Sequence, residues 1–160
     1  QPPPAAVDHL ARVFRDTDGD LGELTRAVMA SPEAWADPLA KVKSPQDLVT
    51  SALRLTTFDG DTDKLIGSLA LLGQTPFAAP SPAGWPDRAE DWLGPDAVWK
   101  RVEWSTRTAD RVGRLVDARA LAARSLGPLL DAATRQQIER AVDGPQALAL
   151  LLMAPEFQRR

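Results

Sequence analysis

Apolar side chains recur every three to four positions along nearly the whole chain, and strict alternation is nearly absent. That period marks amphipathic helices with one face turned to a core. Val7, Leu10, Ala11 and Phe14 form a first stripe. The acidic turn Asp16-Thr17-Asp18-Gly19-Asp20 ends it, and Asp20 is placed to cap a second helix presenting Leu21, Leu24, Ala27 and Val28. Ser31-Pro32-Glu33 reads as a cap followed by proline at the first helical position, opening a short turn that ends near Trp35. Ser44-Pro45-Gln46-Asp47 repeats this grammar with an acid three residues after the cap, and the helix behind it carries Leu48, Val49, Ala52, Leu53 and Leu55. After Asp59-Gly60-Asp61, the residues Leu65, Ile66, Leu69 and Leu72 predict another helix, with Gly73 at its C′ position.

Gln74 to Pro86 breaks the rhythm with four prolines and reads as one long irregular loop. Phe77 and Trp85 within it argue for a loop pinned to a surface. From Pro95 to about Val116 the amphipathic pattern is clearest. Val98, Val102, Ala109, Val112 and Val116 share one face with Ser105, and Lys100, Glu103, Arg107, Asp110, Arg111 and Arg114 share the other. Glu103–Arg107 and Asp110–Arg114 are spaced as i,i+4 pairs with the acid on the N-terminal side. Further helices are predicted at Ala118–Leu126, Ala132–Val142 and Pro145–Met153, with Asp131 and Asp143 capping the last two. The expected fold is all-α: one domain over residues 1–160, an irregular bundle of about eight helices with a Pro-rich loop at 74–86. An internal echo joins its ends. Val28-Met29-Ala30 runs into Ser31-Pro32-Glu33-Ala34-Trp35, and Leu152-Met153 runs into Ala154-Pro155-Glu156-Phe157, each after an Asp-Gly turn. A repeated way of stopping a helix and docking an aromatic follows.

The chain's 160 residues can bury roughly 70% of the surface of the unfolded chain, so a core needs no covalent staple. Composition narrows the chemistry. Cysteine and tyrosine are absent and His9 is the single histidine, so disulfides, thiolate metal sites and a cysteine nucleophile are excluded and the usual zinc ligand set cannot be assembled. No cofactor is expected, since neither a P-loop nor a dinucleotide glycine fingerprint occurs. A Gly-x-Ser-x-Gly elbow is missing too. The net charge of −3 argues against a general nucleic-acid binder. No apolar run approaches the roughly 20 residues of a membrane span, and the opening Gln1-Pro2-Pro3-Pro4 lacks the basic start and apolar stretch of a signal peptide, reading instead as a linker or a cut inside a longer chain.

Charge is uneven along the chain. Residues 1–99 hold 8 basic and 15 acidic side chains, residues 100–124 hold 7 and 3. Complementarity between these segments is the plainer reading; a basic face at Arg107, Arg111 and Arg114 for an anionic partner is the sharper one. Asp16–Asp20 and Asp59-Gly60-Asp61-Thr62-Asp63 invite calcium, yet position 6 is Leu21 or Lys64 and position 12 is Ala27 or Ala70, where an EF-hand needs glycine and glutamate. Helix-capping turns account for these aspartates. Glu90 and Asp91 near Trp85 and Trp92 resemble the acid-and-aromatic lining of sugar sites; the plainer alternative has Asp87 capping a short helix and Trp92 packing inward. Contact with a ligand or partner is assigned first to Phe77, Trp85, Asp87 and Trp92, because long ordered loops carry function more often than cores do.

Several stretches together resemble the C-terminal part of a bacterial family catalogued as domain of unknown function 1800. They are HLARVFRDTDGDLGELTRAVMASPEAW within Val7–Trp35, Lys43-Ser44-Pro45, the loop PSPAGWPD from Pro80 to Asp87, and ALALLLMAPEFQR from Ala147 to Arg159. Trp99 and Trp104 depart from the family pattern, which has smaller apolar residues and an asparagine-containing stretch there. The resemblance implies a large N-terminal portion outside this chain, and a periplasmic or extracellular location. It carries over no activity, cofactor or catalytic residue. On these grounds the expected role is protein interaction or scaffolding, through self-association or contact with the N-terminal remainder of the same protein. Two alternatives stand beside it. One is the non-catalytic part of an exported hydrolase-like enzyme, and the other is a carbohydrate-binding surface on the Gly-Trp-Pro loop.

Overall fold

The computed structural model describes residues 2–36, 39–58 and 61–160. The described residues are all-α, with ten α-helices, two single 3₁₀ turns and no strand. They divide into two compact units, one ending at Ala40 and one spanning Lys41–Arg160.

The first unit is a helical hairpin. Helix α1 (Pro4–Asp16) opens with proline at its first position, and α2 (Leu21–Ala30) is capped by Asp20, whose Oδ1 accepts from the N–H groups of Gly22 (2.7 Å) and Glu23 (3.1 Å). Gly19, at φ +81°, makes the reversal in a conformation that L side chains rarely adopt. The expected acidic turn is therefore a cap. A 3₁₀ turn at Pro32–Ala34 follows, although the Ser31 hydroxyl donates to Glu33 Oε2 (2.6 Å) rather than capping it. Neither α1 nor α2 contains a buried residue.

The second unit holds eight helices: α3 (Pro45–Thr56), α4 (Thr62–Leu71), α5 (Ala89–Trp92), α6 (Pro95–Val112), α7 (Ala118–Ser125), α8 (Ala132–Glu139), α9 (Gly144–Met153) and α10 (Pro155–Gln158). Helix α9 is its centre. Ala147, Leu148, Leu151 and Leu152 are completely enclosed, and α6, α7, α8 and α10 pack around them. From Ala147 to Met153 the helix is apolar on all sides, a pattern satisfied in such a position. Leu48, Val49 and Ala52 of α3, Ile138 of α8 and Val112 of α6 complete the core.

The caps follow the sequence closely. Ser44 and Asp47 form a reciprocal capping box on α3, and Asp131 and Asp143 cap α8 and α9. Past α4, Gly73 takes φ +90°; its N–H reaches Ala70 O while the Gln74 N–H reaches Leu69 O, a full Schellman closure. Asp59 and Gly60, part of the second calcium candidate, lie outside the described residues. Asp61 accepts from the Asp63 N–H and caps α4.

Helix α6 differs from its expected form. It stops at Val112 rather than Val116, and its buried face is Arg101, Trp104, Ser105, Ala109 and Val112, with Val98 left exposed. The reason is its crossing with α9. A Cβ on Gly113 would stand 2.6 Å from Pro145 Cα, so the helix ends where two backbones touch. Glu103 and Arg107 pair as expected (2.6 Å), but Arg114 lies beyond the helix end. The two Pro-Glu-aromatic endings also diverge. Phe157 is buried, whereas Trp35 is 66% exposed and its Nε1 donates to Met29 O (2.9 Å).

Candidate functional site

The loop after Gly73 contains no helix or strand through Pro86. It is held by its ends. At the first, Gln74 is 7% exposed and its Oε1 accepts from the Gln46 N–H (2.8 Å), satisfying one of the free donors at the start of α3. At the second, Trp92 is buried and its Nε1 donates to Pro86 O (3.0 Å). Trp85 lies against Trp92 with ring centroids 6.2 Å apart at 43°, within the range of favourable aromatic pairs. The indole of Trp85 is thus held from behind.

Between these anchors lies a groove of about 390 Å³. Leu65 and Leu69 of α4 supply apolar lining, Gln46 and Thr50 come from successive turns of α3, and Gln74, Pro76, Phe77 and Trp85 come from the loop. None of these residues is ionisable. Phe77 is fully exposed and adopts φ +60°, a left-handed conformation that costs a bulky residue roughly 1–2 kcal/mol. The loop therefore strains its backbone to hold an aromatic ring in water.

The sequence-derived site residues do not all meet. Phe77 and Trp85 share the groove; Trp92 packs against Trp85 and does not line it. Asp87 is elsewhere. It does not cap α5, whose N-cap is Arg88 with no side-chain cap bond, but pairs with Lys41 and approaches Arg160 Nη2 (3.5 Å). Those partners hold its carboxyl below the usual range, Lys41 first by hydrogen bond and then by charge. Glu90 faces Arg88 (3.6 Å) outside the groove, and Asp91 is exposed, so the paired-carboxylate arrangement is not assembled there. Arg107 pairs with Glu103, Arg111 lines a small cleft with Asp61 and Lys64, and Arg114 sits in the turn after α6. Arg107 and Arg111, four residues apart within α6, share a face, and Arg114 lies past the helix end. His9 is exposed on α1.

Two features escape sequence reading. Gln46, Thr50 and Gln74 give the groove its polar side. A signal existed at Gln74, since the second residue after a helix usually folds an apolar side chain back, and a glutamine there breaks that habit. Arg101, 5% exposed, donates to Lys43 O and Gln158 Oε1, both at 2.7 Å. The Lys43 ammonium stands 4.1 Å from the centre of the Phe157 ring, and burial pushes its pKa down to about 8 against the opposing pull of Asp47. This cluster belongs to a clasp in which Lys41 and Arg160 exchange backbone hydrogen bonds (3.0 and 2.8 Å) and Lys43 donates to Gln158 O (2.9 Å).

Fold and groove together define an all-helical protein with a neutral, aromatic-edged cleft. The chain belongs to the family described as Protein of unknown function (DUF1800), which it matches over residues 1–159. No curated protein and no solved structure matches it. No helix among the described residues is long and apolar enough to cross a membrane.

Proposed function

We propose that this chain acts in protein interaction, with the hairpin of α1 and α2 as the docking element. One observation carries the reading: the two helices bury no residue, although α1 is strongly amphipathic. Val7, Leu10, Ala11, Phe14 and Leu24 line an apolar groove of about 400 Å³, and Val7, Phe14, Leu21, Val28, Met29 and Trp35 are all more than 40% exposed. Helices of 13 and 10 residues are marginal in water without tertiary packing. An exposed apolar groove of this kind supports a docking role. Light scattering and a hydrophobic dye test the reading on the full chain. Association or strong dye binding is expected, and Val7→Asp is expected to abolish it while leaving the urea midpoint unchanged. A strict monomer that binds no dye removes the proposal.

A second reading, a carbohydrate-binding surface on the Gly-Trp-Pro loop, is supported by a separate observation. Phe77 and Trp85 share one groove with three uncharged polar side chains, and its size falls in the range of small-ligand sites. Tryptophan emission during saccharide titration tests it. A spectrum unchanged across a broad panel counts against it.

A further inference from the structure

Resting on the carbohydrate reading, we infer that the groove selects uncharged sugars and rejects acidic ones. Its walls divide into two kinds of surface. Phe77 and Trp85 offer aromatic faces, and Gln46, Thr50 and Gln74 offer amides and a hydroxyl. A pyranose has the matching division, with apolar C–H faces and an equator of hydroxyls. Each hydroxyl both donates and accepts, which suits amides that do the same.

The groove is built before any ligand arrives. Trp85 is backed by Trp92, itself fixed to Pro86 O. Gln74 is more than nine-tenths buried, and its Oε1 is committed to the Gln46 N–H. Its NH₂ group is therefore the end left for the groove, a donor held in place at no further ordering cost. Phe77 is fully exposed, so no packing within the protein accounts for its ring.

Charge decides the class of sugar. A uronate or sulfated sugar entering the groove gives up water, and no lining residue is a cation that replaces it. A neutral hexose meets no such penalty. A proline-rich peptide would also stack on aromatics, but its carbonyls need only donors and leave the acceptor ends of Gln46 and Thr50 unused.

The test uses the full chain with cellohexaose, maltohexaose, mannohexaose, an oligogalacturonate and decaproline, followed by tryptophan emission and calorimetry. At least one neutral hexaose is expected to bind, with the oligogalacturonate weaker by about tenfold or more. Phe77→Gly is expected to lower affinity by roughly tenfold without lowering thermal stability, because glycine accepts φ +60°. Gln46→Ala is expected to weaken hexaose binding several-fold. If the oligogalacturonate binds as well as the hexaoses, the selectivity is refuted while the carbohydrate reading survives; if Gln46→Ala leaves hexaose affinity unchanged, the sugar does not occupy this groove and the inference falls with it. If no saccharide binds, or decaproline alone does, both fall.

Discussion

Two cations lie near the start of α3 and the C-terminal clasp, Arg101 buried and Lys43 half-buried, and neither forms a salt bridge with a carboxylate among the described residues. Arg101 spends its donors on neutral oxygens, Lys43 O and Gln158 Oε1. Lys43 rests on the face of Phe157 instead, an attraction of about 0.5–1 kcal/mol that favours the charged form. Burial outweighs it and pushes the amine down to about 8. A lysine whose pKa falls on folding gives a definite pH dependence. Below about 8 both states are protonated, and the folded state bears the desolvation cost. Between about 8 and the ordinary lysine value of 10.5 the folded protein sheds the proton that the unfolded chain keeps, so stability rises with pH. Relative to Lys43→Met, the native chain should gain roughly 1–2 kcal/mol over that window, less than the full shift because solvent reaches the amine. Urea titrations of both proteins at pH 8, 9 and 10 measure it, and parallel pH profiles would refute the assignment.

Among elements, the crossing of α6 and α9 sets the geometry of residues 41–160, and two glycines set the crossing. A methyl group on Gly113 meets the backbone of Pro145 and Ala109, and one on Gly144 meets Gly113 O. Neither obstacle is a side chain that can turn away. Gly113→Ala or Gly144→Ala should destabilise by about 1–3 kcal/mol or more. Gly67 is the internal control. It lies within α4, and a methyl group there has nothing within 4 Å, so Gly67→Ala should stabilise by about 0.5–1 kcal/mol. Denaturant midpoints that move the same way for Gly113 and Gly67 would contradict this account. The same contrast shows what the sequence could disclose. Caps at Asp20, Ser44, Asp131 and Asp143 and the Gly73 stop were legible because each acts within four residues. The end of α6 at Val112 and the rotation of its buried face were not. Both depend on partners far along the chain: Pro145 for Gly113, and Lys43 and Gln158 for Arg101. Asp87 was misread for the same reason, since a cap is a local guess and Lys41 lies 46 residues away. In the groove, the aromatics at 77 and 85 stood out because large rings in a proline-rich loop are unusual. Its glutamines were hidden in ordinary helix-end positions.

At the scale of the whole molecule, the two units carry their apolar residues differently. Residues 41–160 enclose a core around α9, whereas α1 and α2 enclose none. Stability and association are thus assigned to different stretches, and variants of Val7 and of Gly113 should report on them separately. The clasp has a topological consequence. Lys41 and Arg160 exchange both backbone hydrogen bonds, a geometry that sets their Cα atoms about 5.5 Å apart. The helical body from 41 to 160 is therefore a nearly closed ring of chain. A few glycines joining 160 to 41, with a new opening cut among the exposed residues 79–83, would leave every helix with its present neighbours. Such a circular permutant should fold, and it would move the break in the polypeptide to the rim of the groove.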